Sequence, residues 1–512
     1  MSRTRRIIKR FATTLGLLLL GSVGVFLAAV AWPQSQAQPQ RASGPLAITD
    51  VTLVDIRAGR LVAGQSVVVS GGRITAVGPV AETEVPAGAR VIDGRGRYVM
   101  PALWDMHTHV YAISPLLDMP LYIAYGVTNV RDLQGCPASG DPFIACYEDK
   151  QRWTAEALAG TRVGPRIFEA SSFMANGPGM AARLGDVPAF FDVQTPEQAR
   201  DFVRHFVGRA DSIKVYDGIP RQAYFALVDE ATRHGLVVVG HKPRAVSATE
   251  AAVHQRSIEH ARFLLHESFD GSDALRASVG TPAWREDRRA MLDRHDPAAA
   301  ARIFGAMRAN GTYYVPTHLT RWADAYADSP EVREDPALAY LHPLMKMQWL
   351  EDIDAVLARD PGPEARATYV DFYEKGLELT RQAHDAGVRI MVGTDYIAPG
   401  LDVHRELEQL VKAGLSPQQA LAAATIVPAG YAGASGRYGD VAPGRIADLI
   451  LLGADPLADI RNTRSIQAVV FNGAVYDQQA IADLKAGVRS NARSWSTGAK
   501  ILWRFVLNPA SY

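Results

Sequence analysis

Cysteine is nearly absent: the 512 residues hold two, Cys136 and Cys146. That excludes a disulfide-dense scaffold and a thiolate-built zinc module, both of which need sets of thiols. The two stand ten positions apart in a stretch rich in Pro, Gly and Asp, and in an oxidising compartment they are expected to pair as a disulfide, with a pair of metal-binding thiolates as the competing reading. There is no internal repeat and no low-complexity tract. Neither sign of charge prevails, with 54 Lys and Arg against 54 Asp and Glu, and no Lys/Arg stripe is interleaved with aromatics. Nucleic acid is therefore not an expected partner. Long apolar runs are missing from all but one place, and 48% hydrophobic with 21% charged residues is the balance of an ordinary globular chain.

The exception is the beginning. Arg3, Arg5, Arg6, Lys9 and Arg10 precede an uncharged apolar run from Ala12 to Trp32. This is the pattern of a secretory leader, 1–37, with Ser35-Gln36-Ala37 offering the small residues a signal peptidase reads. The same run is roughly the 20 residues that span a bilayer, so an uncleaved membrane anchor is the competing expectation. Thr4-Arg5-Arg6 also matches a twin-arginine signal loosely, which would mean export after folding. Either way the body is expected outside the cytoplasm, periplasmic or secreted. The leader holds five of the 54 basic residues and no acid, which leaves 49 against 54 and a mildly acidic remainder.

Residues 45–100 read as short strands with Gly-rich turns, Ala47 to Asp55, Gln65 to Ser70, Arg73 to Gly78 and Arg90 to Asp93. From Met100 on, eight apolar segments alternate with amphipathic helical stretches. They are residues 103–109, 127–133, 166–171, 212–216, 237–241, 257–260, 313–317 and 390–395, and most end in polar residues. Parallel βα units have this form, and eight of them predict an α/β fold with a (β/α)8 TIM-like barrel at 101–430. Strand character returns at Ala447 to Leu452 and Ala468 to Phe471, so residues 431–480 are expected to rejoin 45–100. The result would be a small β-sandwich lobe, built from both ends of the chain, that carries the barrel as an insertion. A tail occupies 481–512, and the long helical connections 261–311 and 318–388 are expected to wall the substrate pocket.

The strongest local signal is Asp105-Met106-His107-Thr108-His109, because side chains two apart on a strand share a face. Both imidazoles would point inward as metal ligands. Lys214, His241, His260 and Asp395 then stand at the ends of four other expected strands, where this architecture gathers its chemistry. Singly each is an ordinary polar residue; together they read as one constellation.

With these residues in view the chain resembles the amidohydrolase superfamily, in its imidazolonepropionase-like and Xaa-Pro dipeptidase-like branch. The likeness rests on the His-x-His, on Ile213-Lys214-Val215-Tyr216, on His241 and His260, and on Gly393-Thr394-Asp395. Gly414-Leu415-Ser416-Pro417, Pro443-Gly444-Arg445-Ile446-Ala447-Asp448-Leu449 and Phe471-Asn472-Gly473 extend it. The resemblance implies a binuclear site. His107, His109 and Asp395 would hold one divalent ion, with zinc the first choice, His241 and His260 would hold the other, and an N6-carboxylated Lys214 would bridge them. An unmodified ammonium there would repel both cations, whereas a carbamate is anionic and bidentate.

The expected reaction is hydrolysis of an amide-like C–N bond in a small molecule such as a dipeptide, an N-acyl amino acid or a cyclic amide, by metal-activated water. Asp395 would move the proton, His241 would polarise the substrate oxygen and Tyr216 would donate to the tetrahedral intermediate. Arg131 and Arg244 are candidates to clamp a substrate carboxylate. Ester, lactone or phosphotriester hydrolysis on the same ions is the alternative, and a non-catalytic envelope metal-binding protein is the third reading. The segment Arg131-Asp132-Leu133-Gln134-Gly135-Cys136 departs from the paired glycines of the family, which leaves loop geometry and specificity open. A homo-oligomer is compatible with the sequence, and a membrane is a partner only through the N-terminal segment.

Overall fold

The computed structural model describes residues 3–34, 36–40, 44–137, 141, 143–184 and 187–507; Ser35 of the expected cleavage motif and tail residues 508–512 lie outside them. Five strands open the body: β1 Leu46–Asp55, β2 Arg60–Ser70, β3 Arg73–Pro79, β4 Arg90–Asp93 and β5 Tyr98–Pro101. Gly71 and Gly72 take φ 57° and 73° in the β2–β3 turn, where a two-residue hairpin needs two positive φ values that only small residues adopt cheaply. Asp50, at φ 56°, marks the bulge where the β1–β2 register slips.

Eight parallel segments follow: β6 Leu103–Thr108, β7 Val127–Asp132, β8 Arg166–Ala170, β9 Ser212–Val215, β10 Val237–Gly240, β11 Ser257–Glu259, β12 Tyr313–Val315 and β13 Arg389–Ile390. After them come β14 Leu449–Leu452, β15 Ile466–Phe471 and β16 Ala474–Asp477. β14 pairs antiparallel with β5, so the last strands join the first in one sheet ordered β16-β15-β14-β5-β1-β2-β3, with β4 beside β1. The ladders run as a single path, because β5 is bonded to β1 on one side and β14 on the other, and Arg73 of β3 bridges Ile446 just before β14. Val67, Val69, Val99, Leu449 and Leu451 fill its apolar face.

The inner segments make a mixed α/β unit, but a closed eight-stranded ladder is not found among the described residues. They form three short parallel sheets, β6-β7-β8, β9-β10 and β11-β12-β13. Single contacts link the sheets. Ser171 bridges Ser212, Val238 bridges Gln255, and the amides of Met106 and Asp395 donate to Val392 O and His107 O, each at 2.9 Å. The ladders stop because the backbone turns out of extended conformation where the strands end: Gly240, His260, Thr317 and Asp395 take φ 110°, 72°, 47° and 46°. Positive φ is costly for a residue with a Cβ and clusters at functional positions. Around the sheets, helices such as Pro196–Phe206, Arg221–Arg233 and Leu401–Lys412 contribute Phe202, Leu227 and Leu407 to the apolar cluster that holds Ile213, Val238 and Ile390. The first of these starts on a Thr195/Gln198 capping box, which satisfies backbone donors that the helix leaves free.

Candidate active site

The ends of β6, β10 and β11 and the segment after β13 bring five of the sequence-predicted side chains together. His107 is buried on β6, its Nδ1 3.1 Å from Glu259 Oε2. Burial favours the neutral Glu259 carboxyl, but Arg131 at 2.8 Å, His107 and Ser257 outweigh it and hold its pKa below the usual value. An ionised Glu259 accepts a hydrogen bond from Nδ1–H, so His107 presents an unprotonated Nε2 to the interior. His109 is turned the same way by Gln134 Oε1, 2.9 Å from its Nδ1. His260 has Thr317 Oγ1 at 2.7 Å from Nδ1.

The three Nε2 atoms and His241 then converge. His109 Nε2 lies 2.9 Å from Asp395 Oδ1, His107 Nε2 3.8 Å from the same oxygen, and His260 Nε2 2.9 Å from His241 Nε2. His107 Nε2 and His241 Nδ1 are buried without a hydrogen-bond partner. The ligand atoms of His107, His109 and Asp395 all lie within 4.8 Å of one another, which makes them a possible metal site. Burial drives the pKa of His107, His241 and His260 down. Burial acts the other way on Asp395, but His107, His109 and His260 overcome it and hold the carboxyl far below its ordinary range. Neutral imidazoles beside an ionised carboxylate form the donor set that a divalent cation takes.

Lys214 is buried on β9 with its Nζ donating to Leu133 O at 2.8 Å. Burial pulls its pKa below the ordinary lysine value. Tyr216 lies flat on His241, ring centroids 4.0 Å apart. Cys136 and Cys146 are disulfide-bonded.

Arg131 does not meet its expectation as a substrate clamp. It is fully buried on β7, and its nitrogens donate to Met106 O, Ser257 Oγ, Tyr431 OH and Glu259 Oε1. The alternation along β7 turns it into the core, where Glu259 neutralises it and four of its five N–H donors are spent on the protein itself. Arg244 is partly exposed; it pairs with Asp217 at 2.8 Å and rests on the Trp284 ring at 4.2 Å. Arg262 shares the same carboxylate at 3.3 Å. Sequence reasoning missed Glu259, Gln134, Thr317 and the Arg262–Asp217 pair. Only Glu259 had a readable signal, as a charged residue in a short strand that has to be buried.

The amidohydrolase family model matches residues 98–475 of this chain. Among curated proteins, adenine deaminase of Mesorhizobium japonicum is 36% identical over 117 residues, which cover 20% of this chain and 19% of that protein. Adenine deaminase of Rubrobacter xylanophilus is 37% identical over 102 residues, 18% of this chain and 17% of its own length. The chain thus spans about a fifth of the length of the curated relatives it matches. Two solved structures share the fold. Bottromycin amidohydrolase has a TM-score of 0.63 at 23% identity, over 88% of this chain and 90% of its own. A Xaa-Pro dipeptidase with bound methionine has a TM-score of 0.59 at 19% identity, over 85% and 100%.

Proposed function

Because the chain belongs to the amidohydrolase family, we propose that it is a metal-dependent hydrolase cleaving an amide-like C–N bond of a small molecule. The inner unit, residues 101–430, is then a (β/α)8 barrel carried by the lobe of 45–100 and 431–480, a reading supported by the single contacts that link its three sheets in a ring.

One observation carries the reading: four imidazoles and a carboxylate crowd one spot. His109 Nε2 lies 2.9 Å from Asp395 Oδ1 and His260 Nε2 2.9 Å from His241 Nε2, while His107 Nε2 and His241 Nδ1 are buried with no hydrogen-bond partner. Imidazole nitrogens gathered round a carboxylate in this way are a donor set that fits divalent metal. His107, His109 and Asp395 would hold one ion and His241 and His260 a second. Lys214, whose pKa burial lowers, would supply the amine that carbon dioxide can convert to an anionic carbamate ligand. When bound, such ions acidify a coordinated water and polarise a carbonyl. Asp395, ionised and beside that position, accepts the water proton at Oδ and returns it to the departing nitrogen. Tyr216 and His241 form one wall of the site. Arg262 and Arg244 share the single carboxylate of Asp217, which leaves net positive charge at the rim and favours a substrate carrying a carboxylate there.

Asp395→Asn tests the assignment. The variant is expected to keep most of its metal, measured by elemental analysis, and to lose turnover across dipeptides, N-acyl amino acids and cyclic amides. A metal-loaded, active Asn variant would overturn the proton-transfer role, and preference for lactones or phosphotriesters in the wild type would overturn the C–N assignment.

A further inference from the structure

The N-terminal helix Arg3–Ala31 does not stand apart from the body. It ends against the C-terminal helix Trp495–Leu507, and the two make polar contacts that suit each other. Ser496 Oγ donates to Ala29 O at 2.9 Å, and Lys500 Nζ donates to Trp32 O at 2.6 Å. Ala29 O, in the last turn of the helix, also accepts from the Trp32 amide at 3.2 Å, and Trp32 O lies just past the helix end, where the helix itself supplies no donor. Ala29 is 1% exposed, and the Phe26 and Trp503 rings meet at 6.2 Å. The chain that follows is docked as well: Ala37 packs against the cluster containing Ile123, Tyr476 and Leu484.

The outer faces of both helices are apolar and bare. Arg10–Ala31 is long and apolar enough to cross a membrane, with only 6% of its most apolar window buried. At about 1.5 Å per residue it matches a hydrocarbon core of about 30 Å. On the C-terminal helix, Ile501 faces inward against Ile113 and Leu117. Trp495, Leu502 and Val506 face outward and are 59%, 47% and 62% exposed. Trp32, at the end of the N-terminal helix, is 59% exposed. Large exposed apolar side chains elsewhere are scattered singly, as on any soluble surface.

We propose that the N-terminal segment is retained as a membrane anchor and that the C-terminal helix is a second lipid-contacting element, clamped to the anchor by Ser496 and Lys500. The occupant is a bilayer because the pattern follows bilayer rules. Within the helix Arg3–Ala31 the uncharged stretch 11–31, of spanning length, follows Arg3, Arg5, Arg6, Lys9 and Arg10, and Trp32 and Trp495 stand at its other end, where cytoplasmic cations and interfacial tryptophans belong. A leader destined for removal has no use for a C-terminal serine and lysine that satisfy its carbonyls. Its loss would strip the cover from Ser496 and Thr497, both buried, and leave their helix apolar in water. The loop covered by Ile501 is the one that runs on from His109, so the lipid-facing surface adjoins the site.

The test uses the full chain expressed in a bacterial host. Intact mass should include residues 1–37, and the protein should stay with membranes after carbonate extraction. In the full-length Leu502→Cys variant, an environment-sensitive label should emit blue-shifted light in phosphatidylethanolamine–phosphatidylglycerol vesicles and lose intensity when brominated lipid replaces ordinary lipid. A mature chain beginning near Gln38 in the soluble fraction overturns the proposal. So does a label quenched by aqueous iodide but not by bromolipid. A label shielded from both, in a protein whose mass in detergent is that of a dimer, assigns the face to a second copy and equally overturns it.

Discussion

Glu259 serves two dependants at once: it neutralises the buried Arg131 guanidinium at 2.8 Å and orients His107 at 3.1 Å. Glu259→Gln strands a cation in the interior and releases an imidazole from its tautomer. Stability should fall by about 3–5 kcal/mol, as when one partner of a buried pair is removed. Metal affinity should drop by about 10–100-fold, as for loss of a ligand's outer partner. Denaturant unfolding and metal titration read the two effects separately, and an unchanged midpoint with unchanged affinity would sink the role. At this scale the candidate ligands were legible because strand periodicity puts His107 and His109 on one face. The residues that hold them were not, since Gln134, Thr317 and Glu259 meet their histidines only across other strands.

Gly393 lies just past β13, and its missing side chain lets that segment close on β6. A Cβ there would stand 2.4 Å from Val315 Cγ1, 2.7 Å from His107 Cβ and 2.9 Å from His107 N. Two of these neighbours belong to the ladder that carries the site and cannot swing aside. Gly393→Ala should therefore cost about 1–3 kcal/mol, the usual range for overpacking, and lower the metal stoichiometry by displacing His107. Thermal unfolding together with metal counting checks it, and full metal occupancy at unchanged Tm would refute it. Glycine at this position belongs to the Gly393-Thr394-Asp395 run that the sequence singled out, but its contact with β6 is a tertiary fact. The same holds for Arg131, whose strand position was legible while the choice of face was not: an arginine at a strand end reads as a clamp until Glu259 is seen beside it.

Across the molecule, buried acids and buried histidines pull stability in opposite directions with pH. Burial raises the Glu406 carboxyl to about 8 against backbone donation from His318 and Leu319, and raises Asp402 to about 7. Burial lowers His318 and His404 to about 3. A carboxyl whose folded pKa lies above its unfolded value contributes stability below the unfolded pKa and loses it as pH rises through the folded one, at up to about 1.4 kcal/mol per pH unit. The histidines, depressed on folding, contribute above about 6.5 and lose it as pH falls toward 3. Glu406→Gln removes one carboxyl from this balance. Its stability relative to wild type should climb between about pH 5 and pH 8, which denaturant unfolding at several pH values measures. Parallel curves would show that folding does not raise the Glu406 pKa.

The sequence alone determined the family, the mixed α/β class and which residues are able to bind metal, because hydrophobic periodicity, chain order and ligand chemistry are local properties. Only the tertiary structure decided how the three short parallel sheets meet, which charges cancel in the interior and that the two ends of the chain lie helix to helix. Those depend on which distant segments come within a few ångströms, and no local pattern carries that distance.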